Sequence, residues 1–91
     1  MKVTVGTDII EVSRIEEALE SDKFKTMVFT DKEIKYCESK KKMRYEHYAA
    51  RFAGKEATFK AISKYLDDKY SVSWKNIEIL NDKQGRPYVN L

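Results

Sequence analysis

Apolar positions along the chain change rhythm several times, and the changes mark out its elements. Val3-Thr4-Val5-Gly6-Thr7-Asp8-Ile9-Ile10 is rich in β-branched side chains and reads as an opening strand. From Ser13 the spacing turns helical. Ser13-Arg14-Ile15-Glu16 has the S-x-x-E form of a capping box, and Ile15, Ala18 and Leu19 follow on one helix face. A second helix start is sharper: Thr30 stands as N-cap, Glu33 as its box partner, and Phe29 and Ile34 at the two positions of a hydrophobic staple. That helix is expected to run through Cys37 to a basic loop. A third and longest helix covers about Tyr45 to Leu66, rich in Ala, Lys, Glu and Phe. Beyond Asp67-Asp68, Ile77-Glu78-Ile79 alternates as a half-buried strand, Asn81 to Gly85 reads as a turn, and Pro87 to Leu91 as a second strand. A strand, three helices and a hairpin predict an α+β fold, with a small antiparallel sheet packed against helices.

Composition narrows the setting. Ninety-one residues make one small domain, and a core of that size is marginal enough to favour oligomerisation. Apolar residues form 42% of the chain and charged ones 36%, a globular rather than a disordered balance. No apolar run approaches membrane-spanning length, and the first residues show neither a signal h-region nor a transit composition, so no membrane partner is expected. One cysteine, Cys37, allows neither an internal disulfide nor a thiolate metal cage, which makes a reducing cytoplasm the default location. The net charge of +3 is mild; its densest basic stretch, Lys40-Lys41-Lys42-Met43-Arg44, is either a solvated loop or a contact for phosphate-bearing or acidic partners. That cluster and the scattered tyrosines are the only support for a nucleic-acid partner, which is not expected.

Two carboxylates stand in unusual places. Asp8 lies within an otherwise uncharged strand pattern, where it either binds a ligand or marks the strand end as a turn residue. Glu56 shares a helix stripe with Phe52 and Phe59, and a charge there needs pairing or coordination. Lys60, one turn on, can supply an ordinary ion pair. A pair of carboxylates also suits a hard divalent ion completed by phosphate and water, although spacing alone does not bring Asp8 to Glu56. Arg51 and Lys55 flank Glu56 along the helix; three cations beside two acids suit a pyrophosphate, or simply an amphipathic helix. Gln84-Gly85-Arg86-Pro87 is a hairpin loop that also exposes a cation.

Taken together, Val5-Gly6-Thr7-Asp8-Ile9-Ile10-Glu11-Val12, Val28-Phe29-Thr30-Asp31-Lys32-Glu33-Ile34, the run from Tyr48 to Ala61 with its Arg-Phe-x-x-Lys-Glu-x-x-x-Lys core, and the stretch from Trp74 to Val89 resemble the holo-[acyl-carrier-protein] synthase family, within the 4′-phosphopantetheinyl transferase superfamily. The resemblance implies a magnesium-dependent enzyme of fatty acid biosynthesis. Such an enzyme moves phosphopantetheine from coenzyme A to a serine of apo acyl carrier protein and releases 3′,5′-ADP. It implies Asp8 and Glu56 as magnesium ligands, and Glu56 and Lys60 as catalytic, with Lys60 steadying the phosphates. The serine proton then goes to a carboxylate or to metal-bound water. Arg51, Lys42, Arg44, Gly85, Arg86 and Pro87 match regions that contact coenzyme A, partly from a neighbouring subunit of a homotrimer. The first helix matches the carrier-docking surface, but here Glu16, Glu17 and Glu20 are acidic and only Arg14, Lys23 and Lys25 are basic.

Two departures qualify the match. Ile62-Ser63-Lys64-Tyr65 replaces a glycine-containing segment near the pyrophosphate. The family also continues past the Pro-Tyr strand into a strand bearing a His-x-Ser-x-Ser-His type motif. The expectation is therefore a single domain over 1–91 lacking its C-terminal strand segment. The alternative to a transferase is a truncated, non-catalytic module that binds coenzyme A or carrier protein.

Overall fold

The computed structural model describes the backbone of residues 5–63 and 73–90, with side chains in 12–62 and 73–90. Four α-helices come first: α1 Val5–Ala18, α2 Asp22–Val28, α3 Asp31–Glu38 and α4 Arg44–Ser63. A 3-10 turn, Lys41–Met43, joins α3 to α4, and another, Trp74–Asn76, precedes the hairpin of β1 Glu78–Asn81 and β2 Pro87–Asn90. The two strands pair antiparallel, with Ile79 opposite Val89 and Leu80 opposite Tyr88. Helices beside a small antiparallel sheet make the α+β class expected from the sequence.

The opening strand is corrected. Residues 5–10 are helical and continue without a break through Ser13, so Ser13 caps nothing. A strand needs a ladder partner for its backbone groups, and the sheet among the described residues has two strands, both in the hairpin. A helix satisfies those groups within the segment. The sequence also permits it: Val5, Ile9, Val12, Ile15 and Leu19 recur at spacings of three and four, which suits a helix face as well as a β-branched run suits a strand. Val3 and Thr4 lie outside the described residues, as do Leu91 and the expected helical stretch 64–66.

Helix α2 was not anticipated. Ser21 caps it, its hydroxyl accepting the Phe24 N–H at 3.3 Å, and the short helix turns Phe24 and Val28 toward the centre. Helix α3 starts as read: Thr30 Oγ accepts the Glu33 N–H at 3.2 Å and Glu33 Oε1 accepts the Thr30 N–H at 2.8 Å. Of the staple residues, Phe29 joins the core and Ile34 packs against it.

Ile15, Val28, Phe29, Cys37, Tyr48 and Ala49 form that core, walled by Val12, Leu19, Phe24, Ile34, Tyr36, Phe52 and Trp74. Its aromatic rings pack edge to face, with Phe29 and Tyr48 centroids 5.0 Å apart, while Phe52 stacks on Trp74 at 5.2 Å. Each large apolar side chain buried this way contributes about 1.5–3 kcal/mol. Tyr48 keeps its polar tip satisfied by donating to Glu38 Oε2 at 2.6 Å.

Helix α4 packs against α1, α3 and β1. At Gly54 it runs so close to the hairpin that an added Cβ would sit 3.4 Å from Ile79 Cδ1. The loop from Asp82 to Arg86 is organised by Asp82, whose Oδ1 accepts the N–H groups of Gln84 and Arg86, each at 2.9 Å. Gly85 there has φ +83°, the left-handed conformation that glycine adopts without strain.

Candidate functional site

Glu56 lies half-buried on α4, between Phe52, which stacks on Trp74, and Phe59, whose ring centroid is 6.5 Å from that of Trp74. The stripe read from the sequence is therefore real. Its carboxylate joins none of the ion pairs or hydrogen bonds among the described residues, and no ion pair links it to Lys60 there. Lys60 is exposed one turn further on, on the same side of the helix. Asp8 is carried by the first half of α1, the helix that packs against α4; its side chain lies outside the described residues. No cluster of three or more His, Cys, Asp or Glu side chains placed to hold a metal occurs among the described residues.

A half-buried carboxylate with no partner among the described residues still has to meet a charge or water. Its oxygen donors suit a hard cation such as magnesium, which takes one or two protein carboxylates and fills its shell with phosphate and water. The residues present therefore fit the metal that the resemblance implies.

Lys55 is not available to a phosphate, contrary to its reading as part of a three-cation cluster. It is fully buried; its ammonium meets Glu33 Oε1 at 2.8 Å, the Ile77 carbonyl at 2.6 Å and the Trp74 carbonyl at 3.0 Å. Burial pushes the Lys55 ammonium below its ordinary pKa, and the bond to Glu33 counters that shift. Glu33, equally buried, also accepts the Ile79 N–H at 2.8 Å through its second oxygen. The capping-box motif pointed to Glu33, but not to this second task.

Arg51 is 4% exposed. Its guanidinium stacks 4.2 Å from the Tyr36 ring centroid and donates through Nη2 to Asn81 Oδ1, while Nε has no partner among the described residues. It helps to line a cavity of about 390 Å³ between α4 and the hairpin, together with Ala50, Gly54, Ile79, Pro87 and Tyr88. Arg51, on α4, and Pro87, on β2, thus line one cavity. Arg86 folds back on its own loop, 3.4 Å from Asp82 and hydrogen-bonded to Gln84 at 2.9 Å.

The basic turn adjoins this region through Tyr36, over whose ring Lys40 sits at 4.7 Å. Lys42 is exposed. Arg44 donates to the Lys41 carbonyl at 2.9 Å and lies over Tyr45, 3.8 Å from Glu38. Lys41 itself has φ +52°, which is unusual for a side chain other than glycine, asparagine or aspartate. Sequence reading missed Tyr36 and Asn81, whose role is to hold Arg51; no local pattern marks them.

The family model of the 4′-phosphopantetheinyl transferase superfamily matches residues 4–91. The chain belongs to that superfamily. Among relatives, the holo-[acyl-carrier-protein] synthase of Ruminiclostridium cellulolyticum is 50% identical across the whole chain and 68% of its own length. That of Cytophaga hutchinsonii is 44% identical over 92% of the chain and 65% of its own length. That of Clostridium tetani is 46% identical over the whole chain and 70% of its own length. The chain thus spans about two thirds of these transferases. No solved structure matches it. No helix among the described residues is long and apolar enough to cross a membrane.

Proposed function

We propose that the chain is a holo-[acyl-carrier-protein] synthase. It transfers 4′-phosphopantetheine from coenzyme A to a serine of apo acyl carrier protein, in the fatty acid biosynthesis of the cytoplasm, as a magnesium-dependent homotrimer. The observation that carries the reading is Glu56: a half-buried carboxylate without a partner among the described residues, one turn before Lys60, inside the Arg-Phe-x-x-Lys-Glu-x-x-x-Lys core of a chain 50% identical to one such synthase.

In this reading Asp8 and Glu56 would hold the magnesium, which when bound would neutralise part of the pyrophosphate charge. Lys60 sits on the side of α4 that Glu56 occupies and steadies the phosphate oxygens as charge builds on the departing 3′,5′-ADP. The serine oxygen forms a bond to the β-phosphorus as the bond to the bridging oxygen breaks, and its proton passes to a base at the site. Arg51 and Pro87, which line one cavity, take the nucleotide end with Gly85 and Arg86, while Lys42 and Arg44 extend the basic surface toward it.

The test is mass spectrometry of apo acyl carrier protein incubated with the chain, coenzyme A and magnesium. The expected product is heavier by one phosphopantetheine, and Glu56→Ala or Asp8→Ala should each lower the rate by about 10²-fold or more. Coenzyme A binding with no transfer, at saturating carrier protein and magnesium, would replace the enzyme by a binding module.

A further inference from the structure

Lys55 directly precedes Glu56 and stands five residues before Lys60. An ammonium has three N–H donors, and three acceptors from separate segments meet this one: Glu33 on α3, Trp74 in the 3-10 turn, and Ile77 just before β1. Glu33 is equally committed. One oxygen also accepts the Thr30 N–H and the other the Ile79 N–H. A single buried pair therefore ties α4 to the start of α3 and to the strand of the hairpin.

Helix geometry turns that tie into a constraint on the site. Successive residues step by about 100°, so holding Lys55 inward sets Glu56 about 100° and Lys60 about 140° around the axis. A side-chain tip about 5–6 Å from the axis moves by about 1 Å when the helix rotates by about 10°. Displacements of that size can cost about 10²-fold in rate.

We propose that Glu33 and Lys55 form a positioning clamp that sets the azimuth of α4, and with it the aim of Glu56 and Lys60. The proposal rests on the transferase reading. Neither residue touches substrate; both are positioning residues that act through Glu56 and Lys60.

Three variants test it. Lys55→Met breaks the clamp; Glu33→Gln with Lys55→Met removes both charges and leaves none buried alone; Lys55→Arg keeps the charge pair but replaces a three-pronged donor with a planar fork. Val28→Ala, a core substitution outside the pair, serves as the control for lost stability alone. Transfer kinetics give kcat and the KM for coenzyme A, electron paramagnetic resonance gives the affinity for manganese(II), and Trp74 emission reports the fold.

In each folded clamp variant, kcat should fall about 10²-fold and manganese affinity about 10-fold, with the KM for coenzyme A within about threefold of the parent. Val28→Ala should change none of these. A folded clamp variant with kcat and manganese affinity within about threefold of the parent overturns the clamp and leaves the transferase reading standing. Equal losses in Val28→Ala also overturn it. A parent chain that neither transfers nor binds manganese overturns both.

Discussion

Replacing Glu33 with alanine removes a buried carboxylate that serves three segments. The change strips Lys55 of its counter-charge and leaves the Thr30 and Ile79 N–H groups without the acceptors that stood 2.8 Å away. Two of the ammonium's acceptors remain, the carbonyls of Trp74 and Ile77. Breaking a buried ion pair by deleting one partner costs about 3–5 kcal/mol, and an orphaned buried N–H about 1–3 kcal/mol, contributions that overlap here because all pass through one side chain. A loss of about 4 kcal/mol is expected. Domains of this length have about 5–14 kcal/mol in total, so the variant should keep about 1–10 kcal/mol at room temperature. Urea unfolding followed by the emission of Trp74, the single tryptophan, measures it directly, since Trp74 lies beside the pair. The midpoint should fall by about 2 M or more, or the melting temperature by about 15–30 °C. The deficit should also depend on pH. Burial pushes Lys55 down and Glu33 counters it, so in the variant the unfolded chain binds more protons than the folded one, and stability rises as pH increases toward the ordinary lysine range. A loss below about 1 kcal/mol, typical of an exposed pair, would refute the reasoning.

Other consequences can be measured as readily. Burial pushes the Cys37 thiol up to about 12, so at pH 8 a thiol reagent should label the native chain only through unfolding, and urea should accelerate labelling many-fold; labelling at the rate of a free cysteine would contradict the buried placement. The Tyr48 hydroxyl, followed by Lys25 and Arg44, holds Glu38 below its usual pKa, so its contribution is present above the unfolded value near 4.5 and is lost as pH falls through the folded one. Glu38→Gln should therefore flatten the acid limb of the stability curve below about pH 4.5, as read by thermal melts across pH. At Gly85 nothing lies within 4 Å of an added Cβ, so Gly85→Ala should cost only the backbone strain of φ +83°, about 1 kcal/mol in urea unfolding.

How far the sequence reached can be judged element by element. The Thr30–Glu33 capping box, the long helix around Glu56 and the hairpin were all legible, because each depends on contacts within a few residues. The placement of Glu56 between two aromatic side chains was legible as well, since helical periodicity alone puts it there. Residues 5–10 were misread because their β-branched composition fits a strand and their spacing fits a helix, and only the availability of a pairing partner separates the two. Lys55 and Glu33 show the deeper limit. One looks like a phosphate-facing cation and the other like a cap, and both are so by local pattern. What makes them a buried pair is that α3 and the segment entering β1 converge on the inner face of α4, each across a separation of 22 residues. Local chemistry wrote the elements and the candidate carboxylate into the sequence; packing decided which charges are free to meet a ligand and which are used to hold the fold.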